Sequence, residues 1–178
     1  SYTNFLTGIE KTKTVKSELN KITNRSNTPV ENDSNLFNLG TNVKAPEIVG
    51  DSSWINSKPL SIASLKGKVV LVDFWTYTCI NCIRSIHYVN KWYETYKDKG
   101  LVVIGVHSPE FPFEEDRNNV IAAVNRFGIK YPVVQDNKLA TWNNYSNSYW
   151  PAEYLIDANG NIRREDFGEG GYDKMEAA

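Results

Sequence analysis

Two residues separate the only cysteines of this 178-residue chain, Cys79 and Cys82. An apolar, β-branched segment ends at Trp75, and apolar residues with helical spacing follow the cysteines, which places the pair between a buried strand and a helix. A cysteine that opens a helix faces unpaired backbone amides, which stabilise its thiolate. The pattern therefore predicts a redox site in which Cys79 attacks a disulfide and Cys82 resolves the intermediate, leaving a Cys79–Cys82 disulfide.

Asp73 is the second residue that suggests chemistry, because it interrupts the apolar strand that leads to Cys79. A buried carboxylate without a partner is costly, and its pKa rises as a result. An acid tuned towards neutrality beneath Cys82 would accept the proton of that thiol. The alternative is a purely structural aspartate that is bonded to a backbone group or a lysine.

Three aromatic residues and a proline complete the candidate site. Trp75 and Tyr77 flank the dithiol, and we expect them to form an apolar docking surface around it. Pro151 follows Trp150 and directly precedes a predicted strand. Only about 5–6% of X-Pro bonds in folded proteins are cis, so the residues alone favour a trans bond here.

Strands alternate with helices in the pattern that must position these residues, which predicts an α/β fold with a mixed sheet. A short strand or hairpin is expected over residues 54–67, and Asn159-Gly160 predicts a hairpin turn;. The remaining predicted strands cover residues 68–75, 101–106, 131–135, 152–157 and 161–167. The predicted helices cover residues 80–99, 116–127 and 139–145, and a last, incomplete helix is expected after residue 168.

The organisation is predicted to be one domain over residues 43–178, preceded by a helical arm and linker over residues 1–42. Because the chain starts at Ser1, we expect it to be a processed or trimmed form of something longer;. Its net charge of −1 argues against nucleic acid as a partner;.

The run from Val72 to Cys82 resembles the active-site segment of the thioredoxin superfamily, and most closely that of TlpA-like and DipZ-like extracytoplasmic thiol-disulfide oxidoreductases. Similar segments recur at residues 45–48, 65–71, 103–111, 131–136 and 151–160. The resemblance implies a thioredoxin-like fold with a TlpA-type N-terminal hairpin and a central insertion that holds the 116–127 helix. It also places the family's buried acid at Asp73 and its cis-proline at Pro151, beside the cysteines, where it would hold substrate.

The resemblance further implies a membrane-anchored protein outside the cytoplasm that reduces cysteines in protein substrates such as apocytochrome c. A membrane redox partner would recharge the dithiol, and no cofactor is expected besides the redox-active disulfide. Two alternatives stay open: a disulfide-forming oxidant of the same fold, and a copper-binding or delivery module that uses the two thiolates. A zinc site is disfavoured because structural zinc usually takes four ligands.

Two positions depart from the family pattern. His87 stands where relatives carry a proline that kinks the active-site helix. Trp150 replaces a small or hydroxylated residue, which would narrow the substrate groove. His107 and Glu110 are interpreted as structural residues at the end of a strand.

Overall fold

The computed structural model describes residues 43–51 and 54–178. Six strands form one mixed sheet within these ranges, in the order β1-β4-β3-β2-β5-β6. Strands β2, β3 and β4 run parallel, whereas β1, β5 and β6 join the sheet by antiparallel pairing. The strands are β1 (Trp54–Ile55), β2 (Val69–Trp75), β3 (Leu101–His107), β4 (Val133–Gln135), β5 (Ala152–Ile156) and β6 (Ile162–Phe167).

The helices cover both faces of this sheet. Helices α1, α2 and α4 contribute buried side chains to the core on one face, and α3 contributes to the core on the other. The helices are α1 (Ile80–Tyr96), α2 (Arg117–Arg126), α3 (Ala140–Asn144) and α4 (Tyr172–Ala177). Short 3-10 turns occur at Ala63–Leu65, Lys97–Lys99 and Pro112–Glu115.

Strand β2 lies at the centre, between β3 and β5, and is buried along nearly its whole length. Side chains alternate between the two faces of a strand. Val72 and Phe74 accordingly join the core that contains α3, while Leu71 and Trp75 join the core that contains α1. Asp73 shares the second of these faces, so its carboxylate is directed towards the helix that carries Cys82.

Local signals in the sequence set the ends of the helices. Asp116 caps α2 by accepting hydrogen bonds from the backbone amides of Asn118 and Asn119, at 2.8 and 3.2 Å;. After α1 and the turn that follows it, Gly100 adopts a left-handed φ of 106° that favours glycine;. The chain can therefore reverse there and enter β3.

The structure confirms the predicted thioredoxin-like fold, the mixed sheet and the helix at residues 116–127. The described residues do not show the expected N-terminal hairpin; of the predicted short strand or hairpin, they form a strand at Trp54–Ile55. Strand β1 instead pairs with β4, with Trp54 opposite Val134, and residues 63–65 form a 3-10 turn. The predicted helical arm and linker over residues 1–42 lie outside the described residues.

Candidate active site

Cys79 occupies the N-cap of α1, and Cys82 lies one turn into the helix. The backbone amide of Cys82 donates a hydrogen bond to the sulfur of Cys79 at 3.2 Å. Cys79 is partly buried, whereas Cys82 is fully buried. Both are free thiols, so the predicted disulfide between them is not formed in this structure.

The two thiols differ in acidity because their surroundings differ. A hydrogen bond from the Cys82 thiol, aided by the backbone amides of Asn81 and Cys82, lowers the pKa of Cys79 to about 7. Partial burial and the carboxylate of Glu110 oppose this effect. Burial raises the pKa of Cys82 far above its ordinary value, and its neighbours Cys79 and Asp73 add to the increase. The pair thus consists of an accessible thiolate and a buried thiol that needs a base.

Asp73 lies on the face of β2 that α1 covers, and its charge acts on Cys82. Its side chain is 1% exposed, and neither carboxylate oxygen has a hydrogen-bond partner within the described part of the chain. Burial raises the pKa of Asp73 from 3.8 to about 7, and the charge of Cys79 contributes in the same direction. The Tyr131 hydroxyl faces the carboxylate and opposes the rise, although it does not reach hydrogen-bond geometry.

Gly105 explains how aromatic rings enclose this acid. It pairs with Asp73 in the register of β2 and β3. A side-chain carbon at Gly105 would approach both Trp75 Nε1 and Tyr131 Cε2 to 3.0 Å. Without that carbon, the indole and phenol rings pack beside Asp73 and exclude water from it.

The prediction that Trp75 forms part of a docking surface is wrong. Trp75 is fully buried, and its ring packs edge-on against His107 at 5.0 Å and Phe127 at 6.4 Å between centroids. The physical reason is strand alternation, since Trp75 ends β2 on the face that α1 covers;. Its indole belongs to the interior beneath the site.

Tyr77 is half-buried and anchors exposed apolar residues near the dithiol. Its hydroxyl donates to the carbonyl of Phe113 at 3.0 Å, and Phe113 stacks on Phe111 with 5.5 Å between ring centroids. Both phenylalanines are exposed, as is Ile80 directly after Cys79. The apolar surface at this edge is therefore built by Tyr77 and the loop after β3, not by Trp75.

The peptide bond between Trp150 and Pro151 is cis, as the family resemblance implied and the base rate did not. Pro151 directly precedes Ala152, which pairs with Phe74 at the end of β2 where the dithiol loop begins. Trp150 is half-buried; its indole Nε1 donates to the carbonyl of Ser108 at 3.0 Å. Its ring also lies 4.2 Å from that of Trp142.

A buried acid that the sequence did not single out as functional, Glu114, supports the loop before Cys79. Glu114 accepts hydrogen bonds from the Thr78 hydroxyl and from the backbone amides of Glu110 and Phe111. Burial acts to raise the pKa of Glu114, but these bonds outweigh it and hold the pKa below its ordinary value. The local signal for Glu114 is its place at the third position of the 3-10 turn that begins with Pro112, but its contact with Thr78 joins two separate loops and has no local signal.

His107 is fully buried, in agreement with its structural interpretation. Burial lowers its pKa to about 4, so the imidazole is neutral at physiological pH. The ring stacks on Tyr77 and shares a hydrogen bond with the Thr76 hydroxyl at 3.4 Å. His87, in contrast, is exposed on α1, with its ring 3.9 Å from that of Tyr88.

Glu153 is a second buried acid that sequence reasoning missed. It is 4% exposed and lies opposite Asp73 in the register of β2 and β5. Burial, followed by the charge of Asp73, raises the pKa of Glu153 well above its ordinary value. The signal that could have found it was an acid within an apolar strand, the same signal that identified Asp73.

The described residues contain no group of three or more histidine, cysteine or acidic side chains placed to hold a metal ion. In residues 43–51 and 54–178, no helix is both long and apolar enough to cross a membrane. A partly exposed thiolate at a helix N-terminus, backed by a buried thiol and a buried acid, can carry out thiol-disulfide exchange. Fold and site together define a thioredoxin-like oxidoreductase.

Comparison with known proteins agrees with this class. Residues 41–177 match the family model described as Redoxin, and the chain belongs to this family. It is 50% identical to Protein DipZ of Mycobacterium tuberculosis over 165 residues, which cover 89% of this chain but only 23% of that protein. Thiol-disulfide oxidoreductase ResA of Bacillus thuringiensis is 30% identical over 122 residues, covering 68% of each chain.

A solved structure gives the same result for the fold. The crystal structure of a thioredoxin-like superfamily protein superimposes with a TM-score of 0.71 at 26% sequence identity. The match covers 76% of this chain and 92% of the other. This chain therefore carries a thiol-disulfide oxidoreductase domain of the Redoxin family.

Proposed function

We propose that this domain reduces disulfides in protein substrates outside the cytoplasm. The observation that carries the reductive direction is the moderate acidity of Cys79, whose pKa is lowered only to about 7. A strong oxidant stabilises its thiolate far more, with a pKa of about 3.5, and thereby favours its reduced form. A thiolate as weakly stabilised as that of Cys79 favours release of electrons to a substrate.

The exchange takes place in two steps. The Cys79 thiolate attacks one sulfur of the substrate disulfide, a bond forms between the two sulfurs, and the first substrate thiolate leaves. Cys82 then gives its proton to Asp73 and attacks the sulfur of Cys79. The Cys79–substrate bond breaks, the second substrate thiolate leaves, and the Cys79–Cys82 disulfide remains. Two electrons pass from the dithiol to the substrate.

Substrate positioning is assigned to two features beside the dithiol. Pro151 follows a cis bond and precedes a strand paired with β2, so the loop that leads to it is placed to meet an extended substrate segment. Tyr77, with Phe111 and Phe113, presents apolar surface on one side, and Trp150 narrows the groove on the other. The proposed substrates are therefore extended segments with an apolar residue near the cysteine.

The likeness to DipZ supports the proposed location and partner. The chain spans less than a quarter of that relative. For the full-length protein we therefore propose a membrane redox partner that recharges the dithiol, and apocytochrome c as a substrate. Labelling of Cys79 in intact cells with a membrane-impermeant maleimide tests the location. Protection of Cys79 until the cells are lysed would contradict an extracytoplasmic site.

The reduction potential of the Cys79–Cys82 pair tests the direction. Equilibration with thiol buffers is expected to give a value between about −300 and −200 mV, whereas an oxidant would lie near about −120 mV. Glu110→Gln is a comparison variant for which the direction of change can be predicted. It removes an exposed carboxylate that opposes the Cys79 thiolate, so the reduced form is stabilised and the potential shifts towards oxidising values. A wild-type potential near that of the oxidant would overturn the reductive role.

A further inference from the structure

Three carboxylic acids form a row across the sheet, from the active site to its edge. Asp73 on β2 lies directly opposite Glu153 on β5, and Glu153 lies directly opposite Asp166 on β6. Residues directly opposite on antiparallel strands share a face, with Cβ atoms about 4.5–5.5 Å apart. All three acids therefore face the same side of the sheet, on which α1 packs.

Solvent exposure increases along this row. Asp73 is 1% exposed and Glu153 is 4% exposed, whereas the side chain of Asp166 reaches 17%. Arg164 holds the outer acid through hydrogen bonds of 2.8 and 3.1 Å to its two carboxylate oxygens. The row thus begins at an acid without a hydrogen-bond partner among the described residues and ends at an ion pair that reaches water.

Electrostatic coupling accompanies this geometry. Two opposed carboxyls in a buried setting cannot both ionise easily, so they titrate as a unit. The charge of Asp73 and that of Asp166 both raise the pKa of Glu153, in addition to burial. Glu153 therefore keeps a proton while Asp73 is ionised. Besides the three acids, five groups face the row. They are Cys79 at the N-cap of α1, Cys82 in α1, Tyr131 from the loop before β4, Arg164 from β6 and Tyr172 from α4.

We propose that Glu153 passes the proton of Cys82 from Asp73 to solvent through Asp166. When Cys82 attacks Cys79, Asp73 takes the thiol proton and becomes neutral. Glu153 releases its own proton towards Asp166 and takes up the proton from Asp73, which restores the Asp73 carboxylate. The net result is one proton delivered to water at the β6 edge for each disulfide formed. This inference rests on the proposed role of Asp73.

The opposite face of the same strands provides a matched control. Glu165 directly precedes Asp166 on β6 and pairs with Tyr154, so it points away from the row. Burial raises the pKa of Glu165 as well. A substitution at Glu165 therefore alters the same strand and removes a similar acid without touching the row.

The test follows proton release during one turnover with an aromatic disulfide that yields coloured thiolates. Such thiolates stay ionised at pH 8, which is above the pKa of about 7 of Asp73, so at that pH the proton of Cys82 is released to the bulk. Stopped-flow recording follows the second coloured thiolate and a pH-indicator dye together in weakly buffered solution. In the wild type and in Glu165→Gln, the proton is expected to appear together with the second thiolate. In Glu153→Gln the appearance of the proton is expected to lag behind the second thiolate, with a rate about tenfold lower than in wild type. Steady-state turnover is expected to fall as well.

The outcomes separate the inference from the proposed function. Synchronous proton release in Glu153→Gln, with Asp73→Asn still slowing the second thiolate, would overturn the relay and leave the role of Asp73 intact. A second thiolate that is released at the same rate in Asp73→Asn as in wild type would overturn both. Asp166→Asn guards against a folding defect at Glu153, because it changes the more exposed end of the row and predicts the same lag.

Discussion

Asp73 and Asp136 are both 1% exposed, yet the chain treats these two aspartates in opposite ways. Asp136 accepts hydrogen bonds from the amides of Thr141 and Trp142 in the first turn of α3, at 3.1 and 2.8 Å, and another from the Ser108 hydroxyl at 3.5 Å. Asp73 has no such partner among the described residues. Asp136 fixes α3 to the end of β4, whereas the free-energy cost of burying Asp73 is not offset by hydrogen bonds among the described residues.

The difference shows where the fold tolerates an unfavourable group. Buried polar groups in native proteins are hydrogen-bonded in the great majority of cases, so an exception needs a reason. The reason we propose for Asp73 is its position near Cys82, whose pKa burial raises far above its ordinary value. Burial raises the pKa of Asp136 as well, but hydrogen bonds from the amides of Trp142 and Thr141 oppose that rise, whereas Asp73 accepts no hydrogen bond among the described residues.

The largest expected effect is on the pH dependence of stability. Because the folded-state pKa of Asp73 is raised from 3.8 to about 7, the native state binds more protons than the unfolded state between these values. Stability is therefore expected to fall as pH rises through this window, by up to roughly 4 kcal/mol from Asp73 alone. Urea unfolding of the reduced protein from pH 4 to pH 8 measures this slope.

Asp73→Asn is expected to remove the part of the pH dependence of stability that comes from Asp73, whereas Asp136→Asn should leave most of that pH dependence in place. A slope that persists unchanged in Asp73→Asn would mean that the buried acid has an ordinary pKa in the folded state.

The next effect is on chemistry. Asp73→Asn is expected to slow the Cys82 step by about 100-fold at neutral pH, because general-base assistance typically contributes that much or more. Release of the second coloured thiolate from an aromatic disulfide measures this step. Asp136→Asn is the control and should stay within about twofold of wild type. Equal slowing in the two variants would show that the effect is structural.

The smallest expected effect is on the free energy of unfolding at a single pH, which substitutions of Asp73 and Asp136 should change in opposite directions. Asp136→Asn is expected to destabilise the protein by about 2 kcal/mol at pH 8, since charge-assisted hydrogen bonds to α3 are lost. Asp73→Asn is expected to stabilise it by about 2 kcal/mol, after the cost of burying an amide without a partner. Denaturant midpoints of the reduced proteins give both values, and destabilisation by Asp73→Asn would contradict the account.

The sequence contained the signals for the fold and for most of the site, because those signals are local. A Cys-x-x-Cys between an apolar strand and a helical pattern predicted the positions of Cys79 and Cys82, and one acid in the strand predicted Asp73. The cis bond before Pro151 came from family resemblance and not from the residue itself. The predicted strands and helices match the observed ones within a few residues.

The features that sequence reasoning missed depend on pairing between distant segments. Strand β1 pairs with β4 across a long stretch of chain, which no local pattern encodes. Trp75 looked like part of the dithiol loop, but it closes β2 on the covered face. Glu153 carried the same signal as Asp73, yet its importance depends on the register that sets the two side by side.

The ionisation of Asp73 is the central claim, and its direct measurement is a carbon-13 NMR titration of the Asp73 carboxyl in the reduced protein, with Asp136 recorded in the same spectra. The account predicts an Asp73 midpoint near 7. A midpoint near the ordinary value of about 4 would contradict it, because Asp73 would then be too weak a base to accept the proton of Cys82.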